Sequence, residues 1–189
     1  METAVTRIQA GGEQGTTLLE VLVASALLVT LMAGLMSLAG LAISTTENQG
    51  HLAARTTEYA QDKMEQLMAL AYTDQVSDTR VFPAATAGGT GLKPGGNSSA
   101  SSPVDKYVDY LDQSGNLCGS AAASCVAPTG TTPPTGWFYQ RVWQVADSTN
   151  DGTLPTGLKR ITVTATISKG FGGAMKATST LAVLKTSPF

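Results

Sequence analysis

The feature that most constrains this chain is a run of 23 residues without a charge, from Val21 to Ile43. As an α-helix the run would measure about 35 Å, which is enough to cross a bilayer core of roughly 30 Å. A carboxylate, Glu20, stands directly before it. A carboxylate inside hydrocarbon costs on the order of 2–3 kcal/mol unless it has a partner or lies among the headgroups. The sequence therefore predicts a membrane-spanning helix with an acid at its N-terminal end.

The segment before this run does not follow the order of a secretory signal. A secretory signal has a basic segment, then a shorter apolar stretch, and then the cleavage site that removes both. Here residues 1–15 are polar and precede the apolar run. Cleavage after Gly15 would keep the helix in the product and create a new α-amino group on Thr16. Glu20 then has two interpretations: it lies at the level of the headgroups, or it pairs with that amine on a neighbouring helix.

Residues 15–24, GTTLLEVLVA, resemble the prepilin cleavage and methylation motif of type IV pilins and type II secretion pseudopilins. In that family a short polar leader ends in Gly, and Glu is the fifth residue of the mature chain. The same spacing is found here. The resemblance implies that a prepilin peptidase cuts between Gly15 and Thr16 and N-methylates Thr16. It also implies that Glu20 guides assembly by meeting the N-terminal amine of a neighbouring subunit.

The resemblance further implies a location and a set of partners. Residues 1–15 would be the leader peptide, and residues 16–43 the transmembrane and assembly helix. The protein would cross the bacterial inner membrane once, with its C-terminal body in the periplasm, and would later become part of a pilus at the cell surface. Its partners would be the lipid bilayer before assembly, prepilin peptidase, the inner-membrane assembly platform, and other pilins contacted through the N-terminal helix.

Residues 44–72 predict an amphipathic second half of the same helix. Apolar side chains recur there close to helical spacing, which indicates one buried stripe. The members of this stripe are Leu52, Tyr59, Met64, Leu67 and Ala71, with Ala53, Ala60 and Met68 beside them. Such a stripe needs a partner, and we expect that partner to be a sheet at the C-terminus. His51, the single histidine, is expected at the surface.

Residues 73–136 form a polar region with few apolar side chains. Within it, residues 84–103 contain 17 of 20 residues that are Ala, Gly, Thr, Ser or Pro. Such a stretch has little apolar area to offset the entropy of ordering it, so we expect an exposed, mobile loop. A more structured piece, with a turn near residues 113–116, is expected to follow.

Cys118 and Cys125 enclose an eight-residue ring in the same region. A zinc site would need two further ligands, and a redox pair would prefer the tighter C-x-x-C spacing. If this part of the chain is periplasmic, a structural disulfide is the favoured interpretation.

Residues 137–189 predict an antiparallel sheet. Alternation places Trp137, Tyr139, Trp143 and Val145 on one face of a first strand, with Arg141 intruding. A second strand directs Ile161, Val163, Ala165 and Ile167 one way, and the polar residues Arg160, Thr162, Thr164 and Thr166 the other. The segment GFGG supplies a turn before a third strand at 177–185. The expected fold is α+β and pilin-like, a long N-terminal helix covering one face of a C-terminal antiparallel sheet.

The body of the chain adds a second, narrower resemblance. AQDKMEQLMALAY on the helix and WQVA…LKRITVTATI in the sheet resemble the PilV group of minor pilins, the type IV pilus modification proteins. The resemblance implies a minor pilin that takes part in pilus assembly or initiation. Two alternatives stay open: a minor pseudopilin of a type II secretion system, which shares TLLEVLVA, and a membrane-anchored enzyme.

Composition and motifs argue against other classes of function. Charged residues make up only 14% of the chain and the net charge is −2, so a basic surface for nucleic acid is missing. No spacing predicts a catalytic group, a cofactor or a metal site. The segment from Asp147 to Leu158 partly resembles a calcium loop, but Leu158 stands where the bidentate glutamate belongs. A turn built on Asp147, Asp151 and Gly152 is the better interpretation.

Overall fold

The computed structural model describes residues 17–81, 83–168 and 176–187. One helix, α1 (Leu18–Ala69), is followed by five strands. The strands are β1 (Gly95–Gly96), β2 (Val108–Leu111), β3 (Tyr139–Ala146), β4 (Leu158–Ile167) and β5 (Thr178–Thr186). The chain divides into two compact units, one ending at Ser44 and the other, which we call the head, beginning at Thr45. The predicted α+β class, with a long N-terminal helix packed on a C-terminal antiparallel sheet, is confirmed.

The sheet is antiparallel throughout. Its strand order is β1–β3–β4–β5, and β2 also pairs with β3. The predicted meander is therefore confirmed for β3, β4 and β5, while the GFGG turn lies outside the described residues. The sequence did not predict β1, and β2 falls in the piece expected to be structured. β4 pairs along its length with β3 and β5, which makes it the central strand.

The core lies between the head portion of α1 and one face of the sheet. The residues that α1 contributes are Tyr59, Ala60, Met64 and Leu67, and the sheet contributes Tyr139, Trp143 and Val145 from β3 and Ile161, Val163, Ala165 and Ile167 from β4. Alternation in β4 is thus confirmed. Ala53 and Ala71, predicted in the helical stripe, are exposed, because α1 ends at Ala69 and Ala53 lies off the buried face. Thr56 and Lys63 occupy buried positions on the stripe instead.

Trp137 does not share the face of Tyr139, as alternation had predicted. It precedes the first residue of β3, so the period of two does not extend to it. Its ring packs against Tyr110 in a second cluster, with a centroid distance of 5.4 Å. That cluster also contains Val142 and the Cys118–Cys125 pair.

The expectation of an exposed loop at 84–103 is wrong for the part around Leu92. The Leu92 side chain is fully buried in the main core, and its N–H donates to the Asp74 carbonyl oxygen at 2.8 Å. Gly95 and Gly96 pair with β3, where a Cβ on Gly96 would overlap the Trp143 carbonyl oxygen. A single leucine and two glycines therefore fix a stretch whose average composition favours disorder.

Candidate functional site

The first candidate site is the apolar part of helix α1. Between residues 18 and 43 the large apolar side chains are at least half exposed, from 52% at Val23 to 80% at Leu18. Among the described residues, α1 is the one helix long and apolar enough to cross a membrane. This agrees with the membrane-spanning helix that the sequence predicts.

Glu20 lies in the first turn of α1 and its side chain is exposed. Its backbone N–H donates to the Thr17 hydroxyl oxygen at 3.3 Å, so Thr17 caps the helix. The pair has the spacing of a capping box, and a carboxylate in the first turn also favours the positive end of the helix dipole. Sequence analysis missed this local role, although the pattern T-x-x-E at residues 17–20 indicates it.

The predicted cleavage and methylation positions, Gly15 and Thr16, lie outside the described residues. The pairing of Glu20 with a neighbouring subunit's amine therefore stays a prediction.

Hydroxyl groups along the apolar segment bond back to the helix itself. Ser25, Ser37 and Ser44 each donate to the carbonyl oxygen three residues earlier, at 2.8–3.1 Å. Thr30 donates in the same way to Leu27. Because these hydroxyls have partners within the helix, they need no water, which suits a helix surrounded by lipid or by other helices.

A cluster of charged side chains lies at the interface between helix and sheet in the head. Asp109 on β2 accepts two hydrogen bonds from the Arg141 guanidinium on β3, at 2.7 and 2.9 Å. The Lys63 ammonium of α1 lies 2.6 Å from the same carboxylate. All three side chains are at least 96% buried. Arg141 also donates to Asp62 of α1 at 2.7 Å, and Asp62 is half exposed.

Burial and neighbouring charges shift the pKa values of Lys63 and Asp109. Burial lowers the pKa of Lys63 to about 8, although the negative charge of Asp109 acts to raise it. Burial alone would raise the pKa of Asp109, but the charges and hydrogen bonds of Arg141 and Lys63 hold it below its usual value. Lys63 also lies 4.8 Å from the centroid of the Trp143 ring. These ion pairs hold α1 against β2 and β3, and each buried charge needs the others as counter-ions.

Sequence analysis noted Arg141 as an intrusion on an apolar strand face and did not assign it a partner. Lys63 carried a similar signal, because it lies four residues from both Tyr59 and Leu67 on the buried stripe. A charge at an inward position predicts a buried counter-ion. The identity of that counter-ion, Asp109, required the fold.

The cluster also lines an open groove of about 670 Å³ in the head. The groove extends along Asp78, Arg80 and Asn116. Arg80 and Asp78 form an ion pair at 2.8 Å, so the charged groups that line it are engaged with one another.

Two lysines bond to backbone carbonyls near the C-terminal end of α1: Lys185 reaches the last turn of the helix, and Lys159 reaches the segments that follow it. The Lys185 ammonium on β5 donates to the carbonyl oxygens of Met68 and Leu70. Lys159 on β4 donates to Tyr72 at 2.7 Å and to Leu92 at 2.8 Å. Cations at this end satisfy carbonyls that lack helical partners and favour the negative end of the dipole.

The predicted disulfide is confirmed: Cys118 and Cys125 are bonded, with 4.9 Å between their Cα atoms. Beside it, the buried Asp112 carboxylate accepts from the backbone N–H groups of Ser114, Asn116 and Ser124 at 2.9–3.0 Å. These bonds fix the ring against β2.

The segment resembling a calcium loop forms turns. Asp147 accepts from the N–H and hydroxyl of Thr149, and Asp151 accepts from the same groups of Thr153. Asp151 also pairs with Arg160 at 2.6 Å. Within the part of the chain that the structure describes, no three His, Cys, Asp or Glu residues are placed to hold a metal ion.

Comparison with protein-family profiles, with curated proteins and with solved structures finds no match to this chain.

Proposed function

We propose that the protein is a minor pilin, a structural subunit that takes part in assembly or initiation of a type IV pilus. The observation that carries the proposal is Glu20 at the first turn of a helix whose next 23 residues are uncharged and exposed. The same helix then packs on an antiparallel sheet. A helix of this kind needs an apolar environment along one part and a folded head along the other. A subunit that moves from a membrane into a filament meets both requirements.

The proposed sequence of events follows from the resemblance of residues 15–24 to the prepilin motif. Prepilin peptidase cuts between Gly15 and Thr16, and N-methylates the new amine of Thr16. The helix stays in the inner membrane with the head in the periplasm until the assembly platform transfers the subunit to the growing filament. There the apolar helix exchanges lipid for the helices of other pilins. The Glu20 carboxylate is neutralised by the N-terminal amine of a neighbour, which removes the cost of holding an unpaired charge among apolar side chains.

The direct test compares Glu20→Gln with Glu47→Gln, an isosteric change at a second exposed glutamate of the same helix. Cells producing each variant are separated into membrane and sheared-filament fractions, and the subunit is quantified in both. Glu20→Gln is expected to leave the membrane amount unchanged and to deplete the filament fraction, because the neighbour's amine loses its counter-ion. Glu47→Gln is expected to behave like the wild type. Equal incorporation of all three proteins would overturn the pairing.

The runner-up, a minor pseudopilin of a type II secretion system, shares the N-terminal motif. Deletion of the gene separates the two functions. A pilus subunit predicts loss of surface filaments with normal secretion of exoproteins. Loss of exoprotein secretion with normal filaments would favour the pseudopilin.

A further inference from the structure

Strand β5 forms an open edge of the sheet. It runs for nine residues, Thr178–Thr186, and pairs on one side with β4. No described strand pairs with its other side. Natural sheets protect such edges with short strands, prolines, bulges or charged side chains that point outward or inward, since unpaired N–H and C=O groups attract other chains.

β5 has one of these features, a single lysine, and lacks the others. The strand contains no proline, and its nine residues exceed the usual strand length of about five or six. Its pairing with β4 keeps one register from Thr178 to Thr186, so it contains no bulge. Its one charged residue, Lys185, bonds to the carbonyls of Met68 and Leu70 instead of facing outward.

The register also identifies which backbone groups are available. The Ile167 N–H donates to Ala177, and the Ser187 N–H donates to Gly157. Because hydrogen-bonded pairs alternate along antiparallel strands, the odd-numbered residues of β5 bond to β4. The even-numbered residues direct their N–H and C=O groups to the open edge. The side chains of these even-numbered residues are exposed and uncharged: Thr178, Thr180, Ala182, Leu184 and Thr186.

We propose that this edge is an interaction surface that pairs with β5 of a second copy of the chain, antiparallel and centred on Ala182. In this register Ala182 of one copy faces Ala182 of the other. Thr180 of each copy faces Leu184 of the other, and Thr178 faces Thr186 in the same way. All nine residues overlap, and every even-numbered residue meets another whose backbone groups face it. Lys185 lies opposite Ser179, so no like charges meet. The pairing joins two sheets into one and concerns the head alone, so it does not depend on the proposed function.

Cysteine crosslinking of the full chain in detergent micelles tests the register, since both native cysteines are already bonded to each other. Facing Ala182 residues place their Cα atoms about 5.5 Å apart, within the usual range for a disulfide. Ala182→Cys is therefore expected to give a crosslinked dimer. A mixture of Thr180→Cys and Leu184→Cys is expected to crosslink as well. The Thr180→Cys protein alone is not expected to crosslink, because position 180 of one copy lies about 13 Å along the strand from position 180 of the other.

Two controls separate edge pairing from association through the apolar helix. Ala87→Cys introduces the same change at an exposed alanine outside β5 and is expected to remain monomeric on oxidation. Ala182→Pro removes one outward N–H and none of the bonds to β4, so it should abolish crosslinking in the Thr180→Cys and Leu184→Cys mixture without lowering the melting temperature substantially.

Crosslinking of Ala87→Cys as efficient as that of Ala182→Cys would overturn the proposal. So would the absence of crosslinks in both the Ala182→Cys protein and the mixture, or capture of a different protein by the Ala182→Cys variant in membranes.

Discussion

Between residues 18 and 43, helix α1 exposes large apolar side chains, whereas farther along, the same helix buries Lys63 and Thr56. In the first region fifteen large apolar side chains are exposed. At about 1.5–3 kcal/mol for each side chain that is fully buried, their removal from water amounts to tens of kcal/mol. In the second region the charges of Lys63, Asp109 and Arg141 are compensated within the fold.

The difference shows where each part of the chain finds its partners. The head satisfies its buried charges internally, and its core is complete between α1 and the sheet. The side chains of residues 18–43 in α1 are exposed in the described structure, so their apolar environment must come from lipid or from other helices. Substitutions in the head and in the apolar part of α1 test this contrast.

The largest effect is expected in the head, from Asp109→Ala. The substitution leaves Lys63 and Arg141 buried beside each other without their shared counter-ion. Removal of one partner from a buried ionic group typically destabilises by about 3–5 kcal/mol. Urea denaturation of the full chain in detergent measures the loss. Asp105→Ala is the control, because Asp105 is 55% exposed and its ion pair with Arg80 is long, at 3.8 Å. Similar stability of both variants would contradict the account of the cluster.

The apolar region should be almost as sensitive to an added charge. Leu31→Arg places a guanidinium near the middle of the uncharged run, at a cost of about 2.5–3.5 kcal/mol for insertion into a bilayer. The fraction of protein that resists alkaline extraction from membranes should fall. Ala54→Arg adds the same charge at an exposed position of α1 within the head and should have no effect on extraction. If both variants resisted extraction equally, the apolar run would not be the membrane anchor.

The disulfide should stabilise the head and leave membrane attachment unaffected. Replacement of both Cys118 and Cys125 by Ser opens an eight-residue ring, and the loop-entropy relation gives a loss of about 2.5 kcal/mol. We expect a lower urea midpoint for the head and an unchanged extraction profile. A double variant as stable as the wild type would show that Asp112 and the second cluster suffice to hold the ring.

The smallest effect is a pH dependence of Lys63→Met. The pKa of Lys63 is about 8 in the folded head against 10.5 for the free side chain. Between these values the unfolded chain binds more protons, so the contribution of Lys63 to the free energy of unfolding rises with pH. The substitution should therefore be less harmful at pH 7 than at pH 9.5, by about 2 kcal/mol. Both proteins share their other titrating groups, so the difference between them isolates Lys63. A difference that shrinks with rising pH would contradict the assigned pKa.

Local patterns predicted most of the architecture. Periodicity located α1 and the three strands β3, β4 and β5. The Cys118–Cys125 disulfide was favoured on condition of a periplasmic location, because a zinc site lacked ligands and a redox pair would have the C-x-x-C spacing. These features depend on neighbours in sequence, so they can be recognised in a single chain.

The remaining features depend on contacts between distant segments. Lys63, Asp109 and Arg141 are separated by dozens of residues, and only the assembled sheet brings them together. β1 was not predicted, because its two glycines have no side chains whose pattern could indicate a strand. Leu92 was missed because a single apolar residue in a polar stretch has no periodicity.

We expect the apolar helix to be retained after cleavage, in a mature chain that begins at Thr16. Mass spectrometry of the N-terminal peptide from membrane and sheared-filament fractions tests it directly. The expected result is a mature chain that starts with N-methylated Thr16 in both fractions. A chain that still begins at Met1, or one cut after Ser44 so that the apolar run is lost, would contradict it.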